Sequence, residues 1–599
     1  MDNTYTIDGQ TLTFRHWNLL RVMATGKWHP LCRDNRFITK GSETPEGALQ
    51  DLETRSLFGT LAGTRWRNVL QDLVRMDLVK ASTSKTGPQE FYVRNKALKM
   101  GFDPSVTPIA PGTRRPVFTG IDAECDSPEV LNSLSLLSKQ GYCYNAVVAA
   151  KIRRDIEDGN MIFGPAAEAR TEGKEYGRNE ALMSIKRLMG KCPNTPLHSD
   201  VFLDWRGRVN HMSATFASFQ QNLLQRACLS APKAVEVAVD SPEWDYMLQQ
   251  FAHEGVTLDN YSDMLAAPIA TADDAIEYRM AFTIMEIITT GKTDFMLEQD
   301  ASCSGGQIIA MLTGDMDLAR ATNLINTDGD RQDIYTDLVS NERFDNVWEE
   351  CPMPLKDKRA IAKPVIMISF YGGGPAGILA NMICDARELP DMAIDERLAM
   401  KNWAKDYVKY ASFKKFDQES VDNLMDTAVK EGFATITFGS TEVPILVLRE
   451  IIVMCSQILP KMFPGFASFL KWKDVIAKSF AVGDEGAKQW ITPNGMTINH
   501  PDPASLLPNY IHSVDGAIVQ RVIGDDDMLG KALAVVHDAF FTTVDNAMNL
   551  AHVVRDNYVG VCQDAITALP TEAADALVVS IEDRDAIHGG LHRALVLGA

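Results

Sequence analysis

Apolar residues near the start of the chain recur with two periods. Trp66, Val69, Leu70, Leu73 and Val74 are spaced by threes and fours, which predicts one face of a helix entered through Gly63-Thr64. Further helices are predicted around Phe14 to Met23 and Glu46 to Thr54. Leu78 to Ser82 and Phe91 to Arg94 read as short strands flanking Thr86-Gly87-Pro88-Gln89, a turn sequence. Phe102 to Val117 contains four prolines and few helix formers, as a linker does. From about residue 128 the pattern is mostly helical, for instance over Val130 to Ile156 and Ile394 to Tyr410, with short strands between. No repeat or low-complexity segment interrupts it.

Composition narrows the class. A chain of 599 residues with 45% apolar side chains outgrows a single core, so two to four domains are expected and large-scale disorder is excluded. The net charge of −20 argues against a protein that coats nucleic acid non-specifically. Residues 1–110, however, carry 15 basic against 11 acidic side chains, a local net of +4. With its helices and two strands this basic region resembles a winged helix-turn-helix, with Arg65, Arg67, Lys80 and Lys85 available to phosphates; a basic-surfaced packing domain is the alternative. The ten cysteines are scattered without zinc-ligand spacing and read as buried thiols of a reducing compartment. No signal sequence and no apolar run of membrane-spanning length are present, so a soluble, cytoplasmic protein is expected.

Four segments place polar groups where a fold would prefer apolar ones. The first is a largely apolar strand ending on Asp300, then Ala301-Ser302-Cys303-Ser304-Gly305-Gly306, a turn of small residues leading into a helix. The second, Leu533 to Val544, reads as two apolar strands with His537-Asp538 at the bend. Either aspartate alone could be a turn cap. Two aspartates on adjacent strands can also hold two Mg²⁺ ions about 3.5–4 Å apart, which activate an attacking hydroxyl and stabilise a leaving pyrophosphate. That is the chemistry of nucleotidyl transfer. In the third segment Arg359, Lys363, Met367 and Tyr371 fall on one helical stripe, offering two cations to a triphosphate and an aromatic face to a base pair. By spacing alone a solvated basic stripe is the commoner outcome. Pro364 removes a helical hydrogen bond outside the first turn, so the helix is expected to start later than the charges suggest. The fourth segment, Pro508-Asn509-Tyr510-Ile511-His512-Ser513-Val514-Asp515-Gly516, acquires meaning only beside the others.

These segments, in this order and preceded by Asp204-Trp205-Arg206-Gly207-Arg208, resemble the single-subunit DNA-directed RNA polymerases of bacteriophages and mitochondria over roughly residues 190 to 550. The resemblance implies an α+β, mostly helical right-hand polymerase. Its parts would be a winged-helix-like region (1–115), a helical thumb region (116–190), a first palm part (191–315), fingers (316–510) and a second palm part with the C-terminal segment (511–599). It implies two Mg²⁺ ions held by Asp300, Asp538 and the Ala301 carbonyl, a triphosphate held by Arg359 and Lys363, and Met367 lining the nucleotide pocket. His537 would orient the metal-bearing hairpin. Arg206, Arg208 and Gly372 would lie along nucleic acid, although Asp204 and Arg208 could instead form a buried ion pair. Related DNA polymerases carry a bulky Glu five residues after the first catalytic Asp; Gly305 stands there, and Tyr371 with His512 fills the pair that reads a ribose hydroxyl.

The chain departs from the larger phage enzymes in three places. Asp300 is reached after too few residues for a long promoter-binding domain plus thumb. Trp490-Ile491-Thr492-Pro493-Asn494-Gly495 resembles the lead-in to a major-groove hairpin, but Met496 to Leu507 leave little room for one. The end, Arg593 to Ala599, lacks an aromatic terminus. Weak intrinsic promoter use follows, with a recruiting factor as a partner beside DNA template, RNA product and NTPs. A phage protein acting in the host cytoplasm, without membrane contact, is the expected setting. A primase making short RNA, or a non-catalytic nucleic-acid scaffold, are the rival functions.

Overall fold

The computed structural model describes residues 72–81, 127–161, 222–325, 332–387, 441–479, 488–500, 506–577 and 582–587 without interruption, together with shorter stretches elsewhere. Arg65, Arg67, Lys85, Trp205, the helix expected at Glu46 to Thr54 and the stretch Ile394 to Tyr410 lie outside the described residues, as does most of Phe14 to Met23. The chain divides into two units: Met1–Asp300 with Asn494–Asn499 and Gly516–Val554, and Ala301–Pro493 with His500–Asp515 and Arg555–Ala599.

In the first unit, strands Val79–Ala81 and Glu90–Val93 pair antiparallel, Lys80 opposite Tyr92, where the sequence predicted a hairpin. A second hairpin, Cys32–Arg33 and Arg36–Ile38, extends them into a four-stranded sheet. Those strands are too short to leave a periodic signal. The described part of the helix predicted at Trp66 to Val74 is Asp72–Arg75.

The larger sheet of this unit has six strands, in the order Leu197–His198, Gly141–Tyr144, Leu229–Glu236, Lys292–Gln299, Ala539–Thr543 and Ala534–Val536, every pair antiparallel. Lys292–Gln299 is central and buried on both faces. Phe295 and Leu297 pack with Trp244, Phe251 and Ile284. Met296 points the other way, among Tyr142, Val148, Ile152 and Phe541. The strand therefore reads as an apolar run until Glu298. The preceding helix, Ala272–Thr290, opens with a Thr271/Asp274 capping box and ends at Gly291, whose φ of 70° is the left-handed conformation glycine adopts without penalty.

The stretch Val130 to Ile156, expected to be mostly helical, is two helices, Pro128–Lys139 and Ala146–Glu157, separated by the strand Gly141–Tyr144. Tyr142-Cys143-Tyr144 favours the extended state, and Asn145 caps the second helix by accepting from the amides of Val147 and Val148. A Cβ on Gly141 would stand 2.7 Å from Pro196 Cβ, so the strand enters the sheet where no side chain fits. A break this short is averaged away by a helical period read over a long window.

The second unit is largely helical. Ser304–Thr313, Leu355–Phe370, Ile445–Met462 and Pro464–Ser479 are its main described helices beside the first half of Leu506–Gly524. Phe370 meets Phe466 edge-on at 5.0 Å, and the Trp472 indole donates to the Ala573 carbonyl at 2.8 Å. The Gly465 amide donates to the buried Asp315 carboxylate at 2.6 Å. Among the described residues no helix is long and apolar enough to cross a membrane. The described free cysteines, six in number, are all buried.

Candidate active site

The carboxylate edge is built by one hairpin and its neighbouring strand. Register pairs Met296 with Thr543 and Gln299 with Phe540; one further step brings Asp300 level with Ala539, the residue after Asp538. Val536 pairs with Ala539, so His537-Asp538 is a two-residue loop. His537 adopts φ 55°, a conformation uncommon for any residue but glycine, which the tight hairpin imposes. Asp300 is exposed and Asp538 half-buried. Among the described residues no group of three or more His, Cys, Asp or Glu side chains could hold a metal ion, so Asp300 and Asp538 are a pair and not part of a larger ligand cluster. That set suits Mg²⁺, which is commonly bound by one or two carboxylates while keeping waters and substrate phosphates.

Basic groups stand around the edge. Burial lowers the His537 pKa, reinforced by the Arg208 charge and opposed by Asp538 and Asp204, so its imidazole is neutral at neutral pH. Arg226 donates through Nη1 to Glu298 at 3.2 Å and through Nε to the Phe219 carbonyl at 3.2 Å, with its guanidinium 5.7 Å from the centre of the Phe541 ring. Burial raises the Glu298 pKa, Arg226 lowers it and Asp538 raises it. The sequence reading missed Arg226 and Glu298. The available signal was a Glu interrupting an apolar strand two residues before Asp300, hence on the same strand face.

Strands Asp200–Asp204 and Val209–Met212 pair as a hairpin, and Arg206, Gly207 and Arg208 lie in the connection between them. The Asp204 carboxylate accepts the amides of Arg206 and Arg208 at 3.0 and 2.9 Å and the Arg208 Nε at 2.9 Å; Arg206 Nε lies 3.4 Å away. Of the two roles open for Arg208, the ion pair is present. Gly207, at φ 89°, gives its carbonyl to Gln520 at 2.7 Å, and a Cβ on Gly516 would stand 2.5 Å from that same oxygen. Two glycines thus let the turn lie against the helix backbone.

In the second unit, Leu355–Phe370 carries the basic stripe. Ile361, Ala362, Val365, Ile366 and Phe370 are buried, while Arg359, Lys363 and Met367 are exposed along the opposite side. The helix begins at Leu355, not later as expected, and runs through Pro364 without ending. Packing of the buried face outweighs the lost hydrogen bond. Arg359 donates through Nε to Asp333 at 2.5 Å and lies over the Tyr335 ring at 5.3 Å. Lys363 has no partner among the described residues. Tyr371 caps the helix, followed by Gly372 at φ 75°. The Tyr371 and His512 rings stack 4.6 Å apart, and a Cβ on Gly305 would meet Tyr371 Cζ at 3.3 Å. Three residues from three sequence segments therefore converge.

Comparison with known proteins points the same way. A profile of the DNA-dependent RNA polymerase family matches residues 265–430 and 490–585, which include Asp300, Arg359, Lys363, Tyr371, His512 and Asp538. A probable DNA-directed RNA polymerase from Gelasinospora sp. (strain G114) is 21% identical over 414 residues, covering 61% of this chain and 48% of that protein. One from Neurospora crassa is 20% identical over 464 residues, covering 67% and 48%. The chain spans about half the length of these relatives.

Proposed function

We propose that the chain is a member of the DNA-dependent RNA polymerase family, whose profile matches residues 265–430 and 490–585, and that it is a transcriptase, transferring ribonucleotides from NTPs to an RNA 3′ end on a DNA template. The observation that carries the reading is the pair of aspartates on adjacent antiparallel strands, Asp300 at a strand end and Asp538 at a hairpin tip. With the Ala301 carbonyl these would hold two Mg²⁺ ions, which supply activation of the 3′-hydroxyl and stabilisation of departing pyrophosphate. His537 keeps the hairpin in its tight conformation and, being neutral, adds no cation to compete there.

Arg359 and Lys363 take the triphosphate, the first as a planar fork and the second as a point charge. Met367, one turn further, lines the nucleotide pocket, and Gly372 lets the chain turn at its edge. Tyr371, His512 and Gly305 select ribose: the absent side chain at Gly305 leaves space, and the stacked pair fixes a hydroxyl to read the sugar. Arg206 and Arg208 follow the nucleic-acid backbone, Arg208 through its terminal guanidinium nitrogens, because Asp204 engages its side chain at Nε. The six-stranded sheet corresponds to the palm, residues 316–510 to the fingers and part of 116–190 to the thumb. The basic N-terminal region serves as a winged-helix-like DNA clamp, with Arg65 and Arg67 on phosphates, or as the dock of a recruiting factor.

The decisive test supplies rNTPs or dNTPs with Mg²⁺ on promoter-free single-stranded and duplex templates, with and without primer. Extended RNA from rNTPs supports the reading; abortive short products identify a primase, and dNTP use refutes ribose selection. Efficient run-off from a duplex promoter by the pure chain would remove the need for a recruiting factor.

A further inference from the structure

Arg359 is exposed, yet its orientation is constrained. Asp333 accepts its Nε at 2.5 Å, and the Tyr335 ring lies beneath the guanidinium plane, 5.3 Å from its centre. Neither Nη nitrogen makes a hydrogen bond among the described residues. Both bracing residues are themselves held. Asp333 also accepts the Thr336 hydroxyl at 2.7 Å and the Tyr335 amide at 3.1 Å, while the Tyr335 hydroxyl donates to the Ser302 carbonyl at 3.2 Å. Burial works against ionisation of Asp333, but Arg359 and Thr336 together bring its pKa below the ordinary value, so the carboxylate is charged.

We propose that Asp333 and Tyr335 are positioning residues: they grip Arg359 by its Nε edge and its face, so that the two terminal nitrogens stand ready as a fork for a polyphosphate. An unrestrained arginine must lose rotamer freedom on binding an anion, and a braced one has lost most of it beforehand. The bonding pattern explains why Asp333 is a brace and not a competitor. It occupies Nε, a donor that a bidentate end-on phosphate does not need. The inference rests on the reading of Arg359 as a triphosphate ligand. It adds that two residues outside the helix stripe set its affinity.

The test uses the full chain in two measurements: calorimetric titration with inorganic tripolyphosphate, and steady-state RNA synthesis on single-stranded template. Asp333→Asn should weaken tripolyphosphate binding about tenfold, equivalent to ~1.4 kcal/mol, and raise the NTP KM alike with kcat unchanged, as for loss of uniform binding. Asp333→Asn added to Arg359→Ala should cost nothing more, because the brace acts only through the arginine. Asp317→Asn, which breaks the exposed pair with Arg320, should change neither measurement. Tyr335→Phe keeps the ring and should bind tripolyphosphate as the wild type does; Tyr335→Ala should not. Unchanged binding in Asp333→Asn, or additive losses in the double variant, would overturn the proposal. Should Asp333→Asn fail to fold, the two Tyr335 variants decide: equal losses refute it, and loss in the alanine variant alone supports it. A wild-type chain that makes no RNA refutes the transcriptase reading, while the tripolyphosphate series still decides whether Arg359 is braced.

Discussion

The Tyr371 ring lies on the His512 ring, 4.6 Å between centroids with 28° between planes, and the Cα of Gly305 faces the same tyrosine. The tyrosine comes from the end of one helix and the histidine from the interior of another. Neither helix alone would hold its ring against rotation. The stack, with the close approach at Gly305, restricts the position of the phenol.

Sugar selection should depend on that phenol. Tyr371→Phe retains the stack and loses only the hydroxyl, so rNTP over dNTP preference should fall on the order of tenfold or more. Competition between rNTPs and dNTPs in primer extension measures it, and an unchanged ratio rejects this role.

Asp300→Ala and Asp538→Ala should each abolish Mg²⁺-dependent synthesis without unfolding the chain. Each removes one of two neighbouring negative charges, so melting temperatures should stay level or rise slightly. Activity assays beside calorimetric melting separate loss of chemistry from loss of fold.

Gly516→Ala should destabilise the first unit. Its Cβ would stand 2.5 Å from the Gly207 carbonyl oxygen and 2.7 Å from its carbon, both backbone atoms of a turn pinned by Asp204 and Gln520. Overpacking of this kind costs about 1–3 kcal/mol. Gly374→Ala, where nothing lies within 4 Å, is the control; equal denaturation midpoints for the two variants would contradict the packing argument.

Stability should fall in mild acid through His211. Burial, opposed by a backbone hydrogen bond to Val535, lowers its pKa from 6.5 to about 4, and its ring packs against Tyr142 and Phe219 at 6.0 and 5.0 Å. The unfolded state takes up the proton first, so the contribution is complete above pH 6.5 and is lost as pH falls toward 4. Its size is on the order of 2–3 kcal/mol. Denaturant titrations from pH 7 to 4 should show that loss in the wild type and a smaller one in His211→Gln.

Much of the candidate site is legible from residue order because its elements are short and locally coded. The apolar run ending on Asp300 forms a strand and the small residues after it a turn into a helix. The hairpin at His537-Asp538 is equally local. Periodicity failed where local preference was outvoted. Gly141–Tyr144 is a strand inside an apparent helix, because a sheet edge was available to pair with it. Pro364 lies within a helix whose start it should have delayed, because the face beneath it is packed. The Arg226–Glu298 and Arg359–Asp333 pairs join residues far apart in the chain, and no spacing rule relates them.

By itself, the sequence determined which chemistry-bearing residues exist and which local element carries each, since hydrophobic period and turn composition act over a few neighbouring residues. Only tertiary structure decided which of those residues meet. The antiparallel register brings Asp300 level with the Asp538 hairpin, the packing of two helices stacks Tyr371 on His512, and Asp333 and Tyr335 close around Arg359. Register and side-chain contact depend on cooperative burial of whole elements, a quantity that no single stretch of residues contains.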